Sequence, residues 1–223
     1  MSRDLTARAL SRTWTRADQG ELLLAVLGGA GHLGATLAGS VHLPHRPTTP
    51  SPLSANPGTP SPPLTAPLAT GRWWDDEWAH DPAMGGWITG GSPGEHAVRL
   101  GDALTHAGPR CRLALSNRRV AVLVEAGEVA GGERAPAAPS GQESGFGGRL
   151  GGLLRQVRGG TAERGVVTLH EVVRPEIRTV SAVPLGRTAL PEWFLAFAFA
   201  DGSSLLVRHE NPEQLVETLR LNP

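Results

Sequence analysis

The chain has 223 residues with 21 basic and 21 acidic side chains, so its formal net charge at pH 7 is zero. A neutral chain lacks the electrostatic footprint of a nucleic-acid-binding protein, and we expect no nucleic acid partner. The single cysteine, Cys111, excludes an internal disulfide and a multi-cysteine metal site. The length fits one domain of about 100–150 residues with additional segments. All basic residues are arginine, which is typical of a GC-rich bacterial genome.

Residues 1–19 have the pattern of a helical segment. Their apolar side chains recur at spacings near three and four, which places them on one face of a helix. These side chains are Leu5, Ala9, Leu10 and Trp14. Since Gly20 would end such a helix, we predict an N-terminal helical segment over 1–19.

The run LLLAVLGGAGHLGATLAGSV at 22–41 contains GAGHLG, a G-x-G-x-x-G pattern directly after an apolar stretch. In a Rossmann-type enzyme this pattern is followed by a helix, a second strand and an acidic residue about 20 positions later. Here the chain runs into prolines, and the first acidic residue after Glu21 is Asp75. We therefore expect no dinucleotide cofactor, and we interpret 21–27 as a strand that ends in a glycine loop.

The same run is long enough to cross a bilayer and carries no formal charge at pH 7. Its glycines make it weakly apolar, however, and the imidazole of His32 would be costly at mid-span. We favour a cytoplasmic protein. A single-pass protein anchored by residues 22–41 is the second hypothesis, and a Rossmann-type enzyme is the third.

Two stretches have the composition of loops. Residues 42–72 are dominated by Pro, Thr, Ser and Ala and contain no acidic residue, so we predict a disordered insertion. Residues 126–160 are rich in glycine, and we predict a loop that contains a short basic amphipathic turn. The basic residues of this turn are Arg149, Arg155 and Arg158.

From residue 105 onward the sequence has the pattern of short strands closed by a helix. The alternating apolar runs lie at 110–116, 119–125, 166–173, 177–183, 193–200 and 203–209. The last two flank Asp201 and Gly202, a pair that is typical of a hairpin turn. Asn211 as N-cap and Pro212 at the first helical position predict an amphipathic C-terminal helix. Alternation within 193–199 predicts that Phe197 faces the core.

These segments resemble the bacterial pleckstrin-homology-like domains, including the GRAM-like kind. The resemblance covers 20–30 and 105–221, and its motifs are GELLLAVLG, LALSNRRVAVL, RPEIRTV, WFLAFAFADGSSLLV and PEQLVETLR. It implies an α+β, mainly β fold, with a bent sheet or barrel closed by the C-terminal helix. It also implies a module without catalytic activity that binds a protein partner or a membrane surface.

Head-group-binding relatives of this fold use a basic cluster in the loop after the first strand. That loop has no basic residue here before Arg46, so the resemblance implies weak or no head-group-specific binding. A basic patch could form only if the fold brings distant arginines together. The candidates are Arg118, Arg119, Arg174 and Arg178.

The segment WWDDEWAHDPAMGGW contains four of the six tryptophans and is the main candidate for a partner-binding site. These residues are Trp73, Trp74, Trp78 and Trp87. The alternative, which we favour, is that the rings anchor the insertion on the domain. Two groups of metal-ligand residue types also occur, but neither is a full ligand set, and we expect no metal. The first group is Glu77, His80 and Asp81, and the second is His42 and His45.

Overall fold

The structure, a computed structural model, describes residues 14–28, 31–53, 62–129, 165–187 and 189–222. Within these ranges the chain is mainly β, as predicted, and the predicted C-terminal helix is present. The strands are β1 (Leu23–Leu27), β2 (His32–Leu37), β3 (Ser40–His42), β4 (Met84–Gly90), β5 (Arg112–Ser116), β6 (Arg119–Glu125), β7 (Val166–Val173), β8 (Ile177–Leu185), β9 (Glu192–Phe199) and β10 (Ser204–Arg208). The α-helices are α1 (Ala66–Ala69), α2 (His96–Ala107) and α3 (Pro212–Leu221).

The described strands form two separate sheets, which corrects the predicted barrel. One sheet has four antiparallel strands in the order β1-β5-β6-β7. The other has six strands in the order β3-β2-β4-β10-β9-β8, with one parallel pair, β2 and β4. Strand β10 pairs with β4, and β2 and β3 follow β4 in the same sheet. The edge of β10 that could have closed a barrel with the four-stranded sheet is therefore occupied by β4.

The main core lies between the two sheets, where helices α2 and α3 fill the space. Helix α3 contacts β1 at the edge of the four-stranded sheet and β8 at the edge of the six-stranded sheet. Helix α2 contacts the opposite edge strand, β7, together with β4 and β10. The core side chains of the helices are Leu100 and Leu104 of α2 and Leu215 and Val216 of α3. Each helix thus buries its apolar face between the sheets.

Strand β9 confirms the predicted hairpin and the predicted core face. It pairs with β10 across the turn at Asp201 and Gly202, and Phe197 is buried in the main core. The opposite face of β9 is not solvent-exposed, because Phe194 is buried in a second cluster with Trp78 and Trp87. The alternation within β9 did not indicate that this second face is covered, because the covering residues belong to a distant segment of the chain.

The described part of the run at 22–41 forms strands and not the helix that a single-pass anchor would need. Strand β1 lies where a strand was predicted, and β2 and β3 follow the glycines. In the described ranges, no helix combines the length and apolar character that crossing a bilayer requires. The glycine pattern does not have the conformation of a Rossmann fingerprint, because Gly34, its last glycine, lies in β2 rather than at the start of a helix. A Cβ on Gly34 would lie 2.2 Å from the Trp87 ring, so this glycine serves packing.

The described parts of the Pro-rich stretch, 42–53 and 62–72, are not a disordered insertion. Leu53 forms an isolated bridge with Val129, and Leu68 of α1 is buried. Residues 54–61 lie outside the described residues. The domain boundaries predicted at 20–30 and 105–221 also leave out β2, β4 and α2, which lie in the main core through residues such as Leu33 and Ile88. The stretch between the two predicted parts is therefore integral to the fold.

A buried carboxylate on α2 holds the first part of this stretch. Asp102 accepts a 2.8 Å hydrogen bond from His45 Nε2. It also accepts hydrogen bonds from the backbone N–H and the hydroxyl of both Thr48 and Thr49. These bonds fix a segment whose composition is too polar to be held by apolar burial alone.

At the N-terminus, the structure describes only residues 14–19 of the predicted helical segment. They contain the 3₁₀ turn Ala17–Gln19, and residues 1–13 lie outside the described residues. Trp14 is buried against the outer face of the four-stranded sheet, next to Ala121 and Leu123. Its ring lies 4.6 Å from the guanidinium carbon of Arg119, a cation–π contact.

The β9–β10 turn also caps the start of helix α2. Asp201 Oδ2 accepts a 2.7 Å hydrogen bond from the backbone N–H of His96, and Ser203 Oγ accepts one from Ala97. Asp201 Oδ1 in turn accepts the Ser203 hydroxyl proton at 2.7 Å. A carboxylate at a helix N-terminus satisfies free N–H groups and interacts favourably with the helix dipole. The hairpin turn therefore has a second role that its sequence did not indicate.

We expect Asp201→Ala to lower the free energy of unfolding by about 1–2 kcal/mol, because it removes this remote cap. Urea denaturation followed by tryptophan fluorescence measures the change. The matched variant Asp201→Asn keeps an acceptor oxygen and should lose less than half as much. Equal stability of the alanine variant and the unmodified protein would contradict the capping role.

Candidate binding surface on the outer face of the six-stranded sheet

The segment at 73–81 is held against the outer face of the six-stranded sheet by a buried tryptophan. Trp78 belongs to the 3₁₀ turn Glu77–His80 and is 4% exposed. Its ring lies 4.9 Å from the Trp87 ring on β4 and 5.1 Å from the Phe194 ring on β9. Aromatic pairs at these distances stabilise a structure beyond simple area burial.

Arg208 of β10 fastens the same segment by its backbone. Its guanidinium donates hydrogen bonds to the carbonyl of Ala79 and, at 2.9 Å each, to those of Asp81 and Met84. It also pairs with Glu192 at 2.5 Å. Arg208 therefore fastens the 3₁₀ turn and the start of β4 to the last residue of strand β10.

Next to this segment lies a pocket of about 340 Å³. Its lining residues are Thr65, Pro67, Leu68, Trp73, Glu77, His80, Asp81 and Arg187. Helix α1 thus supplies Pro67 and Leu68, the 3₁₀ turn supplies Glu77 and His80, and the loop after β8 supplies Arg187. These three segments come together only in the folded chain.

The Asp81 carboxylate at this pocket is buried, and both of its oxygens accept hydrogen bonds. Asp81 Oδ2 accepts hydrogen bonds from the backbone N–H and the hydroxyl of Thr65, both at 2.8 Å, and Oδ1 accepts one from Ala83 N–H. Burial raises the pKa of this carboxyl, but the hydrogen bonds from Thr65 and Ala83 outweigh it and hold the pKa below 3.8. Asp81 therefore carries a negative charge at neutral pH.

The β8–β9 loop docks on the turn that follows Trp73. The backbone N–H of Gly186 donates a 2.7 Å hydrogen bond to Asp76, and Arg187 pairs with Asp75 at 2.8 Å. Gly186 has φ +96°, and a Cβ there would come within 2.2 Å of His80 Nε2, so only glycine fits. Two distant loops therefore form one continuous surface.

The four predicted partner-binding tryptophans separate into buried and exposed residues. Trp78 and Trp87 are buried in the outer cluster, where their rings anchor the segment on the sheet. Trp73 is half-buried, and its ring contacts Trp87 edge-on at 5.5 Å. Trp74, the next residue along the chain, is 73% exposed.

Arg119 does not contribute a free positive charge to the predicted basic patch. This guanidinium is buried and pairs with Glu21 at 2.8 Å and with Glu171 at 2.6 Å. The other three arginines are exposed, and each donates a hydrogen bond to a backbone carbonyl. They are Arg118, Arg174 and Arg178. The sequence did not indicate that Arg119 is neutralised, because its acidic partners are far away along the chain.

Of the other candidate residues that the structure describes, only the first metal-ligand group lines this pocket. Glu77, His80 and Asp81 do line it, yet in the described part of the chain no group of three metal-ligand residues is arranged to hold an ion. His42 is exposed on β3, whereas His45 is buried against Asp102. Arg149, Arg155 and Arg158 lie outside the described residues.

Sequence reasoning missed the residues that α1 and the β8–β9 loop contribute. Pro67 and Leu68 lie in a stretch predicted to be disordered, and Arg187 lies in a loop with no recognisable motif. The signal in the sequence that pointed to this surface was the tryptophan-rich segment, which also contains Glu77, His80 and Asp81. No family model matches the chain, and neither the curated proteins nor the solved structures contain a match to it.

Proposed function

We propose that the chain is a non-catalytic binding module of the cytoplasm with a pleckstrin-homology-like core, and that it binds a protein partner at the surface around Trp74. Leaving out residues 28–111, the strands follow one another as two antiparallel meanders, β1-β5-β6-β7 and β8-β9-β10. Helix α3 then packs between the two sheets. This order of opening strand, hairpins and closing helix supports the proposed fold family.

The observation that carries the binding proposal is the exposure of Trp74 beside a concave pocket. When a partner covers an indole ring, a large apolar surface is removed from water, which favours binding. Tryptophan is accordingly enriched among the residues that dominate binding energies. A rigid platform supports this ring, because Trp78 and Arg208 fasten the segment next to it.

The charges around Trp74 favour a protein over a membrane. The neighbouring acidic residues are Asp75, Asp76 and Glu77, and the one basic residue that lines the pocket is Arg187. Anionic lipid head groups would be repelled by this excess of carboxylates, whereas membrane-binding surfaces are usually basic. A protein can instead present complementary side chains.

Photo-cross-linking tests the proposal. We expect Trp74→p-benzoylphenylalanine to form a covalent adduct of defined protein mass in cells that produce the chain naturally. The control places the same residue at Leu221, which is 72% exposed on α3. Adducts that contain only lipid, or equal protein adducts from both positions, would contradict the proposal.

A second measurement separates binding from folding. Trp74→Ala should change the free energy of unfolding by no more than about 0.5 kcal/mol, because the ring is exposed. The same variant should bind the cross-linked partner more than about tenfold more weakly, as expected for a central binding residue. Loss of folding stability without loss of affinity would show that the ring is an internal anchor.

A further inference from the structure

The walls of the pocket beside Trp74 are of two chemical kinds. Pro67, Leu68 and the ring of Trp73 form an apolar side. Glu77 and Asp81 form an acidic side, and Glu77 accepts a hydrogen bond from the backbone N–H of Trp74 at 2.9 Å. A ligand that fills the pocket must therefore present both an apolar stem and a polar or charged end.

The charges of the lining residues do not cancel. Among the described residues, Arg187 is the only arginine or lysine that lines the pocket, and its guanidinium is paired with Asp75, outside the lining, at 2.8 Å. The two lining carboxylates, Glu77 and Asp81, outnumber this arginine, and Asp76 precedes Glu77 in the chain. The pocket thus has an excess of negative charge next to an indole ring.

From this arrangement we infer that the pocket takes a basic side chain, arginine or lysine, of the protein partner. Such a side chain has a methylene stem that can lie along Pro67 and Leu68 while its charged end stays near the carboxylates. Its cation is attracted both by Glu77 and by the π-face of an indole such as Trp73. The inference rests on the proposed function, because it names the partner group that this surface recognises.

Other side chains fit the pocket less well. An acidic side chain would bring a further carboxylate close to Glu77 and Asp81, and like charges at short range are unfavourable. A purely aliphatic side chain would cover Glu77 without offering it a donor, which carries a desolvation cost. A basic side chain avoids both costs.

The test uses the full chain and two amino-acid amides of nearly equal shape. Nα-acetyl-L-arginine amide carries the cation, and Nα-acetyl-L-citrulline amide is its neutral isostere. Each is titrated while the indole N–H resonances are followed by ¹H–¹⁵N spectroscopy. We expect saturable shifts of the Trp73 and Trp74 resonances with the arginine amide and binding at least about fivefold weaker with the citrulline amide.

A matched pair of variants connects the effect to Glu77. Glu77→Gln keeps an acceptor for the Trp74 N–H but removes the charge, and it should reduce binding of the arginine amide about fivefold while leaving the citrulline amide unchanged. Glu213→Gln makes the same change at an exposed position on α3 and should have no effect. Equal binding of both amides, no saturable shift at Trp73, or an unchanged affinity in Glu77→Gln would overturn the inference.

The two proposals can fail separately. A protein adduct from position 74 without binding of the arginine amide would leave the partner surface standing and show that the basic occupant is wrong. Binding of the arginine amide without any protein adduct would support the preference of the pocket for a cation and show that the partner proposal is wrong.

Discussion

Replacing Phe197 by alanine is expected to lower the free energy of unfolding by about 3–5 kcal/mol. Phe197 is 1% exposed on the inner face of β9, opposite Leu205 of β10 and Val180 of β8. Its ring is stacked with that of Phe199, with 6.4 Å between the centroids. Truncation removes this apolar contact and leaves a cavity among three strands. Since a domain is stable by only about 5–15 kcal/mol, guanidinium denaturation followed by circular dichroism resolves the loss.

Two variants calibrate this measurement. Phe197→Leu retains most of the apolar volume and should lose clearly less than the alanine variant. Leu221→Ala truncates an exposed side chain on α3 and should stay within about 0.5 kcal/mol of the unmodified protein. A loss below about 1 kcal/mol for Phe197→Ala would show that the inner face of β9 is not the core.

We expect Asp102→Ala to lower the free energy of unfolding by about 3–5 kcal/mol as well, although Asp102 contributes no apolar area. The substitution removes five hydrogen bonds from one buried carboxylate. It leaves the buried His45 imidazole without its acceptor and also removes the acceptor of the N–H groups of Thr48 and Thr49, which are exposed residues. Asp18→Ala, at an exposed position, is the matched control. Hydrogen exchange should show faster opening at 45–49 in the Asp102 variant.

The same variant should also be less sensitive to acid. Burial raises the pKa of the Asp102 carboxyl, but hydrogen bonds from His45, Thr48 and Thr49 outweigh it and hold the pKa below 3.8. A carboxyl with a lowered folded-state pKa stabilises the fold above its unfolded pKa, and this stability is lost as the pH falls through the folded value. Between about pH 5 and about pH 3 the unmodified protein should therefore lose more stability than Asp102→Ala. Parallel pH profiles would contradict the assignment.

The sequence predicted best those elements that are determined by neighbouring residues. The hairpin at Asp201 and Gly202 follows from turn chemistry within four residues, and α3 follows from Pro212 and its apolar spacing. Asn211 occupies the predicted N-cap position of α3, but its side chain makes no capping hydrogen bond. The sequence therefore predicted which residue occupies the N-cap position of α3, but it did not predict whether the Asn211 side chain makes the capping hydrogen bond.

Helix α2 escaped prediction because its sequence is adapted to a contact that only the fold creates. Gly101 lies in its middle, where glycine disfavours a helix by about 1 kcal/mol. A Cβ at this position would lie 2.1 Å from the Ile88 Cδ1 atom of β4, so the glycine allows the helix and the sheet to approach closely. Gly101 lowers the intrinsic helix propensity of this segment, and the close packing against β4 explains why glycine is present.

The Pro-rich stretch was also predicted incorrectly, because the hydrogen bonds that hold it come from residues outside it. Its composition predicts disorder because it cannot bury enough apolar area. Two carboxylates outside it, Asp102 and Asp81, instead supply hydrogen-bond acceptors to Thr48, Thr49 and Thr65. Composition alone does not show where such acceptors come from.

The sequence by itself determined which segments alternate as strands, where the last hairpin turns, how α3 begins, and that the tryptophan-rich segment was the place to look for a site. Only the tertiary structure decided that there are two sheets, that Arg119 is neutralised, and that Trp74 is the exposed ring. The physical reason is separation along the chain. Arg119 meets Glu21 across 98 residues, Asp102 meets His45 across 57, and Asp76 meets Gly186 across 110. Burial and charge at each residue depend on these distant partners, whereas local patterns report only on the nearest few residues.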